Sequence, residues 1–587
     1  MKNFFKMVLA TFVGVIVSFI IIFLFFIGII SAIIAAGNTP VTINSKTILK
    51  LSFDKPIVDR SQNSPLSGVN FHGLIKPKED GLNDILATIK KAKTDIKING
   101  IYLEIDLLQA RYATIEEIRN SLLDFKKSGK FIIAYSDYYT LKSYYLSSIA
   151  DKIYLNPKGG IDFLGMRSEM MFYKGTFEKL GIEMQVFKHG KFKSYPEPYV
   201  NDKMSEENRS QISQLLNSVW SHTLEGISTQ RQISVVKLNS LADRMVLLNA
   251  ESCQANKFVD SLFYRDQVND KLIKLSGQTG KEPVFVGLAK YERVPSTITE
   301  EYSKNKIAVI YAQGDIELSG DADDEISGEK MAKTIRDARK DTSIKAIVFR
   351  VNSPGGYDLA SSIIWREVIL AVKEKPLVVS MGDYAASGGY YISCPASYIV
   401  TNPNTVTGSI GVFGMLPNAN KFLKDKLGIT TDVVRTNKNS DFPTIFHAMN
   451  QDEKLVLQAQ VDRVYDEFVA RVSEGRKMDK NKVELIGEGR VWSGEDAIKI
   501  GLADTLGGLK DAVKIAARLA KLKNYCLVNL PVLEDPIEKL LKSLSDDTKA
   551  SFINSELNEN IKYLQFIKKV QSLKGIQARM PYELEIY

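Results

Sequence analysis

Short apolar runs alternate with amphipathic stretches of helical length through most of this chain. Runs rich in β-branched residues at 307–314, 346–352 and 377–383 predict buried strands. The stretch 328–341 is amphipathic and of helical length. The stretch 452–476 carries an apolar stripe at helical spacing that we interpret as core packing: Leu455, Leu457, Val461, Val464, Tyr465, Phe468 and Val472. Strands that alternate with helices in this way indicate β-α-β units and a largely parallel sheet.

The pattern occurs twice. Residues 137–157 and 383–403 align without a gap at a shift of 246 residues and agree at nine of 21 positions, where unrelated stretches would agree at roughly one or two. The one block without a match is AASGG (385–389), which stands against YTLKS (139–143). The two copies therefore share a scaffold, but only the second carries a serine framed by small residues and two glycines.

The duplication divides the chain. A length of 587 residues is too great for one hydrophobic core and suits two α/β domains with additional segments. We predict an amino-terminal segment (1–45), a first repeat (46–300), a second repeat (301–525) and a carboxy-terminal extension (526–587). The extension has no counterpart in the first repeat, and its amphipathic segments at 530–547 and 558–575 predict short helices.

The amino-terminal segment predicts a membrane anchor. Residues 8–36 are almost entirely apolar, which exceeds the roughly 20 residues that span a bilayer. A cleaved signal peptide usually has an apolar region of only about 7–15 residues, so an uncleaved anchor is favoured. Lys2 and Lys6 precede this stretch, and positive charge tends to stay in the cytoplasm. We therefore predict a single-pass protein of the bacterial inner membrane whose catalytic domains face the periplasm or the outside.

Composition argues against several kinds of site. The three cysteines are widely separated and predict neither a disulfide framework nor a metal site. The four histidines form no HxxH or HExxH arrangement, so we predict no metal and no cofactor. The net charge of +8 is modest for this length and comes without a nucleic-acid-binding signature, so we expect no nucleic acid among the partners.

Ser387 is the candidate nucleophile. It lies in AASGGYY after an apolar run, at the position where the first copy has Leu141. A hydroxyl attacks a carbonyl when a neighbouring base takes its proton, and small flanking residues let the carbonyl approach. A Pro-Gly-Gly loop containing Gly355 and Gly356 follows another predicted strand of the second copy. Backbone N–H groups in such a loop could stabilise an oxyanion.

The base is the second requirement. Histidine is disfavoured, because none occurs between residues 222 and 447. A lysine works as a base only when it is neutral, so its pKa must fall from about 10.4 toward 7–8 through burial. The segment 186–199 offers Lys188, Lys191 and Lys193 among apolar and aromatic neighbours, and composition does not choose among the three.

Four motifs, taken in their order, resemble a known family. They are KSYPEP (193–198), NSPGG (352–356), AASGGY (385–390) and TGSIGV (407–412), and they occur in a duplicated chain with one amino-terminal span. In these features the chain resembles signal peptide peptidase A, also called protease IV, in its long membrane-anchored form. The resemblance implies two tandem Clp/crotonase-like β-α spiral domains and a serine endopeptidase with a serine–lysine dyad.

The resemblance also implies roles for individual residues. Ser387 would be the nucleophile and Lys193 the general base. The further residues implicated are Gly355, Gly356 and Gly388, whose backbone N–H groups would form an oxyanion hole, and Ser409, an accessory to the lysine. The implied substrates are apolar peptides, most naturally signal peptides left in the membrane, and the implied assembly is a homo-oligomer, with a tetramer suggested. The dyad requires the two repeats to meet, within one chain or between neighbouring chains.

Other functions remain compatible with the sequence. A crotonase-like enzyme acting on an acyl-CoA thioester would use the same fold and glycine-rich loops without a serine nucleophile or an anchor. A catalytically silent membrane scaffold would use neither the serine motif nor the glycine-rich loop. A Clp-like Ser-His-Asp protease is disfavoured, because Val412 and not a histidine stands 25 residues beyond Ser387.

Overall fold

The computed structural model describes residues 2–37, 41–61, 79–296, 303–319, 325–533 and 576–580. The first element is helix α1 (Lys2–Gly37). Within the described ranges, none of the helices meets the combined length and apolarity that crossing a bilayer requires.

Strands and helices alternate through the first repeat, as the apolar pattern predicts. In chain order its elements are β1 (Thr47–Leu51), β2 (Ile57–Val58), β3 (Asp80–Gly81), α2 (Leu82–Thr94), β4 (Ile98–Glu104), α3 (Tyr112–Lys126), β5 (Phe131–Ser136), α4 (Leu141–Ser147), β6 (Lys152–Leu155), α5 (Lys174–Leu180), β7 (Glu183–His189), α6 (Glu197–Val200), α7 (Glu206–Arg231), α8 (Val235–Asp243), a 3₁₀ turn (Val246–Leu248), α9 (Ala250–Ala255), β8 (Ser261–Leu262), α10 (Arg265–Ser276), β9 (Phe285–Gly287) and α11 (Leu288–Glu292).

The second repeat follows the same order at its start and adds strands around the site. Its elements are β10 (Lys306–Gln313), β11 (Asp315–Glu317), β12 (Glu325–Ser327), α12 (Gly328–Lys340), β13 (Ile344–Ser353), β14 (Gly355–Tyr357), α13 (Asp358–Glu374), β15 (Leu377–Ala386), α14 (Gly388–Ser393), β16 (Tyr398–Thr401), β17 (Val406–Gly408), β18 (Val412–Asn418), a π-helical turn (Phe422–Lys426), α15 (Gln451–Arg476), α16 (Lys480–Ile486), β19 (Val491–Ser493), α17 (Gly494–Lys499), β20 (Thr505–Leu506) and α18 (Leu509–Leu519). The extension contributes β21 (Cys526–Leu530) and β22 (Ile576–Arg579).

Each repeat has its own largely parallel sheet. The first sheet has the strand order β8-β6-β5-β4-β1-β9, and all of its pairs are parallel. The second has eight strands, with β10, β13 and β15 at its centre. These central strands are buried on both faces because helices cover them, which explains their continuous apolar runs. Two tandem mixed α/β domains are therefore confirmed.

A third sheet joins the repeats. Its strand order is β12-β11-β14-β22-β18-β7. Strand β7 comes from the first repeat and pairs antiparallel with β18 of the second, from Val412 opposite His189 to Asn418 opposite Glu183. This pairing fixes the position of the chain that follows β7, including the predicted lysine, relative to the second repeat.

Buried charges form a second junction between the repeats. Arg350 on β13 contacts Asp59 and Glu117 of the first repeat, at 2.7 Å in each case. Asp383 on β15 accepts hydrogen bonds from the backbone N–H of Thr114 at 3.0 Å and from its hydroxyl at 2.6 Å. The two domains are thus held together by specific polar pairs as well as by apolar packing.

One expectation from the sequence needs correction. Leu455 belongs to the apolar stripe of the predicted helix at 452–476 but is exposed on α15, whereas Val461, Tyr465, Phe468 and Val472 of that stripe are buried. The described parts of the extension are two strands, since β21 pairs with β10 and β22 enters the third sheet, and they lie beside the predicted helices and do not test them. Residues 534–575, which hold most of the predicted helices, lie outside the described residues.

Candidate active site

Ser387 stands at the turn between strand β15 and helix α14. Its backbone has φ 56° and ψ −118°, a sparsely populated conformation with positive φ that costs a residue other than glycine about 1–3 kcal/mol. Its N–H donates to the carbonyl of Gly408 at 2.8 Å, which ties the turn to the neighbouring strand β17. The fold thus holds the serine in a strained turn at the carboxyl end of a central strand, where sites in α/β sheets usually lie.

Lys193 reaches the serine from the first repeat. Strand β7 ends at His189, and Gly190 then turns the chain with φ 100°. The N–H of Phe192 donates to the carbonyl of Glu488 in the second repeat at 2.9 Å. The turn at Gly190 and this hydrogen bond direct the lysine side chain into the second repeat.

The two predicted residues meet within one chain. Lys193 Nζ lies 2.8 Å from Ser387 Oγ and 3.0 Å from Ser409 Oγ. It also lies 3.4 Å from the Ser409 carbonyl oxygen. All three residues are 0% exposed. The geometry therefore places the amine, the hydroxyl and the accessory hydroxyl in a single buried cluster. Lys191, in contrast, is exposed and pairs with Glu488 at 3.1 Å.

Burial changes the protonation of the lysine. Removing water from the ammonium form lowers the pKa of Lys193 well below its usual value of 10.5. A larger fraction of the amine is then neutral near pH 7 and able to accept a proton. The residue thus meets the chemical requirement of a general base.

This shift predicts a pH dependence. We expect kcat/KM to rise with pH through one ionisation whose pKa lies well below 10.5, because only the neutral amine can accept the serine proton. The measurement is initial-rate hydrolysis of a peptide across pH, with Lys191→Ala as the control that keeps the same profile. A value of kcat/KM that does not fall at low pH, or that falls with a pKa at the ordinary lysine value, would contradict the assignment.

Two of the three predicted oxyanion glycines, Gly355 and Gly388, lie close together beside the serine. A Cβ on Gly355 would lie 2.7 Å from the Gly388 nitrogen and 3.0 Å from the Ser387 Cβ. Gly355 and Gly356 both have positive φ, 104° and 158°. A Cβ on Gly356 would lie 2.1 Å from the Ile316 carbonyl oxygen. Both conformation and space therefore require glycine at 355 and 356. The Gly355 N–H donates to Ser353 Oγ at 3.2 Å, so it is partly engaged.

Sequence reasoning missed the residues that support the lysine segment. Gln211 Nε2 on α7 donates to the Phe192 carbonyl and to Ser194 Oγ, both at 3.0 Å. Ser194 Oγ donates to Asn208 Oδ1 at 2.9 Å, and Asn208 Nδ2 donates to Glu197 Oε2 at 2.9 Å. Asn208 and Gln211 are three residues apart on the buried face of one helix. Polar side chains at that spacing, among apolar ones, were the feature of the sequence that could have indicated this supporting role.

Gly489 was also missed, and it packs directly on the lysine backbone. A Cβ at this position would lie 2.6 Å from the Lys193 nitrogen and 2.7 Å from its Cα. Its φ is 82°. Close approach of two backbone segments, one from each repeat, is the reason for glycine here.

Gly489→Ala should therefore lower kcat by about 10–100-fold, because displacing a catalytic group by about an ångström has effects of this order. Gly501→Ala is the matched control. Gly501 has a similar φ of 86° but its Cβ would find no atom closer than 3.6 Å. Because both variants bear similar backbone strain, a difference in kcat between them, measured by steady-state kinetics, would report the contact with the lysine backbone. Equal activity of the two would show that the lysine tolerates the displacement.

Comparison with known proteins agrees with this geometry. The family model for Peptidase family S49 matches residues 124–279 and 370–523, once in each repeat. Protease 4 of Salmonella typhi is 36% identical over 459 residues, which cover 77% of this chain and 74% of that protein. Protease 4 of Haemophilus influenzae is 32% identical over 552 residues, covering 90% of this chain and 89% of that protein.

A plant relative extends the comparison. The chloroplastic serine protease SPPA of Arabidopsis thaliana is 33% identical over 500 residues, covering 84% of this chain and 72% of that protein. The similarity to all three relatives includes most of the chain and is not confined to the segment around Ser387. This chain belongs to Peptidase family S49 and is a serine protease.

Proposed function

We propose that this serine protease is a membrane-anchored endopeptidase in which Ser387 is the nucleophile and Lys193 the general base, and that it degrades apolar peptides such as cleaved signal peptides. One observation carries the assignment of the dyad. A fully buried lysine with a lowered pKa lies 2.8 Å from a serine hydroxyl held in a strained turn.

The reaction follows from this contact. Neutral Lys193 takes the proton of Ser387 as the serine oxygen attacks the peptide carbonyl. The resulting ammonium then protonates the departing amine, which leaves an ester on Ser387. A water molecule attacks that ester, gives its proton to the same lysine and releases the acid, and the serine recovers its proton.

Neighbouring groups assist each step. Ser409 Oγ, at 3.0 Å from the amine, holds Lys193 Nζ in line with Ser387 and stabilises the transient ammonium. The backbone N–H groups of Gly356 and Gly388 are the proposed donors to the negative oxygen of the tetrahedral intermediate, because these glycines belong to the two turns that meet beside Ser387. In comparable sites the loss of one such donor costs about 2.7–4 kcal/mol.

Covalent labelling tests the proposal. A fluorophosphonate probe should modify the wild-type protein at Ser387, as peptide mapping would show, and should block casein hydrolysis by the detergent-solubilised protein. A crotonase-like enzyme would not be labelled, and a silent scaffold would hydrolyse nothing. Labelling at another serine, with full loss of activity, would contradict the assignment.

The anchor and the location rest on the sequence. Residues 8–36 are apolar and follow two lysines, which supports a single-pass anchor in the bacterial inner membrane with the repeats on the periplasmic side. The full chain should stay with membranes in alkaline carbonate, and a chain lacking residues 1–45 should not. Release of the full chain by carbonate would refute the anchor.

The assembly and the substrate follow from the family resemblance. A homo-oligomer, with a tetramer suggested, stays a prediction that sedimentation of the detergent-solubilised protein would check. Apolar peptides, most naturally signal peptides, are the substrates that the resemblance implies. Signal peptides should therefore compete with casein hydrolysis better than charged peptides of equal length.

A further inference from the structure

One face of helix α7 meets the second repeat through polar side chains. Successive members of this set are three or four residues apart, so they lie on one side of the helix. Opposite them lie strand β19 and the start of helix α17. We call the set the α7 seam, and its members are Gln211, Gln214, Ser218 and His222.

The first three members of the α7 seam form hydrogen bonds across the junction of the repeats. Because both partners of each bond are fixed on regular elements, the bonds set how α7 lies on the second repeat. The bonds are, in order along α7, Val491 N–H to Gln211 Oε1 at 3.1 Å, Gln214 Nε2 to Asp496 Oδ2 at 3.0 Å, and Ser218 Oγ to Ser493 Oγ at 2.8 Å.

The α7 seam begins at the lysine segment. The side-chain oxygen of Gln211 accepts from the second repeat, and its nitrogen donates to the carbonyl of Phe192, the residue before Lys193, at 3.0 Å. His222 lies eleven residues further along the same helix, which is about 16 Å. Since a helix moves as a rod, a change in how its far end is held also shifts Gln211 relative to the lysine segment.

His222 lies between two carboxylates that come from different repeats. Its Nε2 is 3.6 Å from Glu116 Oε2 on α3, and its Nδ1 is 3.4 Å from Glu495 Oε1 on α17. A neutral imidazole has one N–H and can donate to one of the two, whereas the protonated ring has two and can donate to both. The side chain is only 20% exposed, so water replaces a lost contact poorly. The protonated form is therefore the one that joins the two repeats at this point.

The groups around the imidazole favour that form. Although burial alone would lower the pKa of His222, hydrogen bonding and charge from Glu116 and Glu495 raise it above its usual value of 6.5. Burial would likewise raise the pKa of Glu116, but His222, Tyr145 and Arg119 lower it, so this carboxylate stays ionised. The charged and titratable groups at this point are thus Glu116 with Tyr145 and Arg119 beside it, and Glu495 with Asp496 next to it in sequence.

We propose that His222 is a positioning residue for the general base: its protonated imidazole holds α7 on the second repeat, and loss of that proton lets Lys193 move away from its place against Ser387. The inference rests on the proposed function, since it concerns how the same dyad is held. His222 acts through α7, because the contacts that reach the lysine segment come from Asn208 and Gln211 at the other end of the helix.

This role predicts that kcat falls to a lower plateau as the pH rises through the pKa of His222. Stability changes with the same sign, because a raised pKa in the folded state contributes stability that is present below pH 6.5 and is lost as the pH passes the raised value. The increase with pH that Lys193 produces is superimposed on this fall. It is common to the wild type and to variants of His222, so the ratio of their kcat values at each pH cancels it.

Steady-state kinetics of two substitutions, measured from about pH 5.5 to about pH 9.5, test the proposal. His222→Gln is neutral at every pH, so the ratio of the wild-type kcat to that of the variant should be about tenfold at the acid end and should approach one at the alkaline end. KM should change by less than about twofold, because the dyad is displaced while the substrate groove is kept. His222→Lys stays cationic, so it should match the wild type at the acid end and exceed it at the alkaline end.

Two further variants serve as controls. His447→Gln removes another histidine that pairs with a carboxylate, since His447 Nε2 lies 2.8 Å from Asp441 Oδ2, but both of these residues belong to the second repeat. Its kcat ratio to the wild type should stay near one throughout. Glu495→Gln should lose as much activity at the acid end as His222→Gln, and the double variant should lose no more than either single one, because all three remove the same contact.

The outcomes are distinguishable. A kcat ratio for His222→Gln that does not change with pH overturns the inference, and so does a His222→Lys protein that declines with the wild type at the alkaline end. If His222→Gln does not fold, Glu495→Gln gives the same pH comparison, since its side chain is 31% exposed. A wild type that is labelled at Ser387 and hydrolyses casein, but gives flat ratios, leaves the proposed function intact. A wild type that is neither labelled nor active defeats the proposed function itself.

Discussion

Replacing Ser387 by alanine or Lys193 by methionine should lower kcat for peptide hydrolysis by at least about 10⁴-fold. Removal of one member of a comparable hydrolase triad has effects of 10⁴–10⁶-fold. The loss should be similar for both variants, because the amine and the hydroxyl act as one unit at a distance of 2.8 Å. A fluorogenic peptide assay over a wide enzyme concentration range would measure it.

Two matched controls distinguish the dyad from its surroundings. Lys191→Ala removes an exposed lysine two residues away, and Ser393→Ala removes a buried serine from helix α14, whose hydroxyl donates to the Gly389 carbonyl at 2.7 Å. Both should retain activity within about a factor of ten, since neither contacts the dyad. A Lys193→Met protein with near wild-type activity would refute the role of the amine.

Stability gives an independent check on Lys193→Met. In the wild type the folded state has a lysine pKa well below 10.5, so between that lowered pKa and 10.5 the unfolded state binds more protons. The contribution of this residue to the free energy of unfolding therefore rises with pH across this window. Below the window this contribution destabilises the folded state most strongly. The methionine variant should be as stable as the wild type or more so at pH 7, and its advantage should shrink toward pH 10.5. Loss of activity with a higher Tm cannot be attributed to unfolding.

The residues of the site could be predicted because the two copies differ there. Ser387 stands where the first copy has Leu141, a buried apolar residue at the start of α4. Gly355 and Gly356 likewise align with residues other than glycine in the first copy. The comparison of copies therefore identifies where chemistry has been kept, and the order of the motifs identifies which chemistry it is.

The distance between those residues could not be predicted in the same way. It depends on the pairing of β7 with β18, two strands more than 200 residues apart in sequence, and no local pattern specifies such a register. The support from Gln211 and the close approach of Gly489 depend on the same long-range packing. Periodicity predicts strands and helices well, but not which strands of different repeats will meet.

The extension shows a related limit. Its amphipathic segments at 530–547 and 558–575 predict helices, but nothing in the sequence indicated the strands beside them, Cys526–Leu530 next to β10 and Ile576–Arg579 in the third sheet. Strand β22 has only four residues, and a segment of that length has too little periodicity to reveal a strand. Its conformation is imposed by the open edges of β14 and β18, which lie far away in sequence.

Arg350 is the site of the second large effect, on stability. The side chain is 1% exposed and comes from the second repeat, while its carboxylate partners Asp59 and Glu117 come from the first. It also donates to Ser380 Oγ at 3.0 Å. Although burial alone would lower the pKa of Arg350, the two carboxylates raise it, so the guanidinium is firmly charged. Desolvation raises the pKa of Glu117, and Arg350 opposes that rise.

Arg350→Met should lower the free energy of unfolding by about 3–5 kcal/mol, because it leaves two carboxylates buried without their cation. Lys333→Met is the control, since Lys333 pairs with Asp337 at 2.6 Å and both side chains are exposed, 71% and 58%. That change should cost at most about 1 kcal/mol. Urea unfolding at pH 7 would compare the two midpoints, and equal shifts would show that the buried pair contributes no more than a surface pair.

The pH dependence of the stability of Arg350→Met tests whether uncompensated buried charge causes the loss. Without Arg350, only the hydrogen bond from the Leu509 N–H opposes the rise in the pKa of Glu117, so the folded state binds protons more readily than the unfolded state. The free energy of unfolding of Arg350→Met should then increase as the pH is lowered from 7 toward the usual carboxyl range. Adding Asp59→Asn and Glu117→Gln to the variant should recover part of the loss and abolish this dependence. If the triple variant were no more stable than Arg350→Met, the destabilisation would come from lost packing between the repeats and not from uncompensated charge.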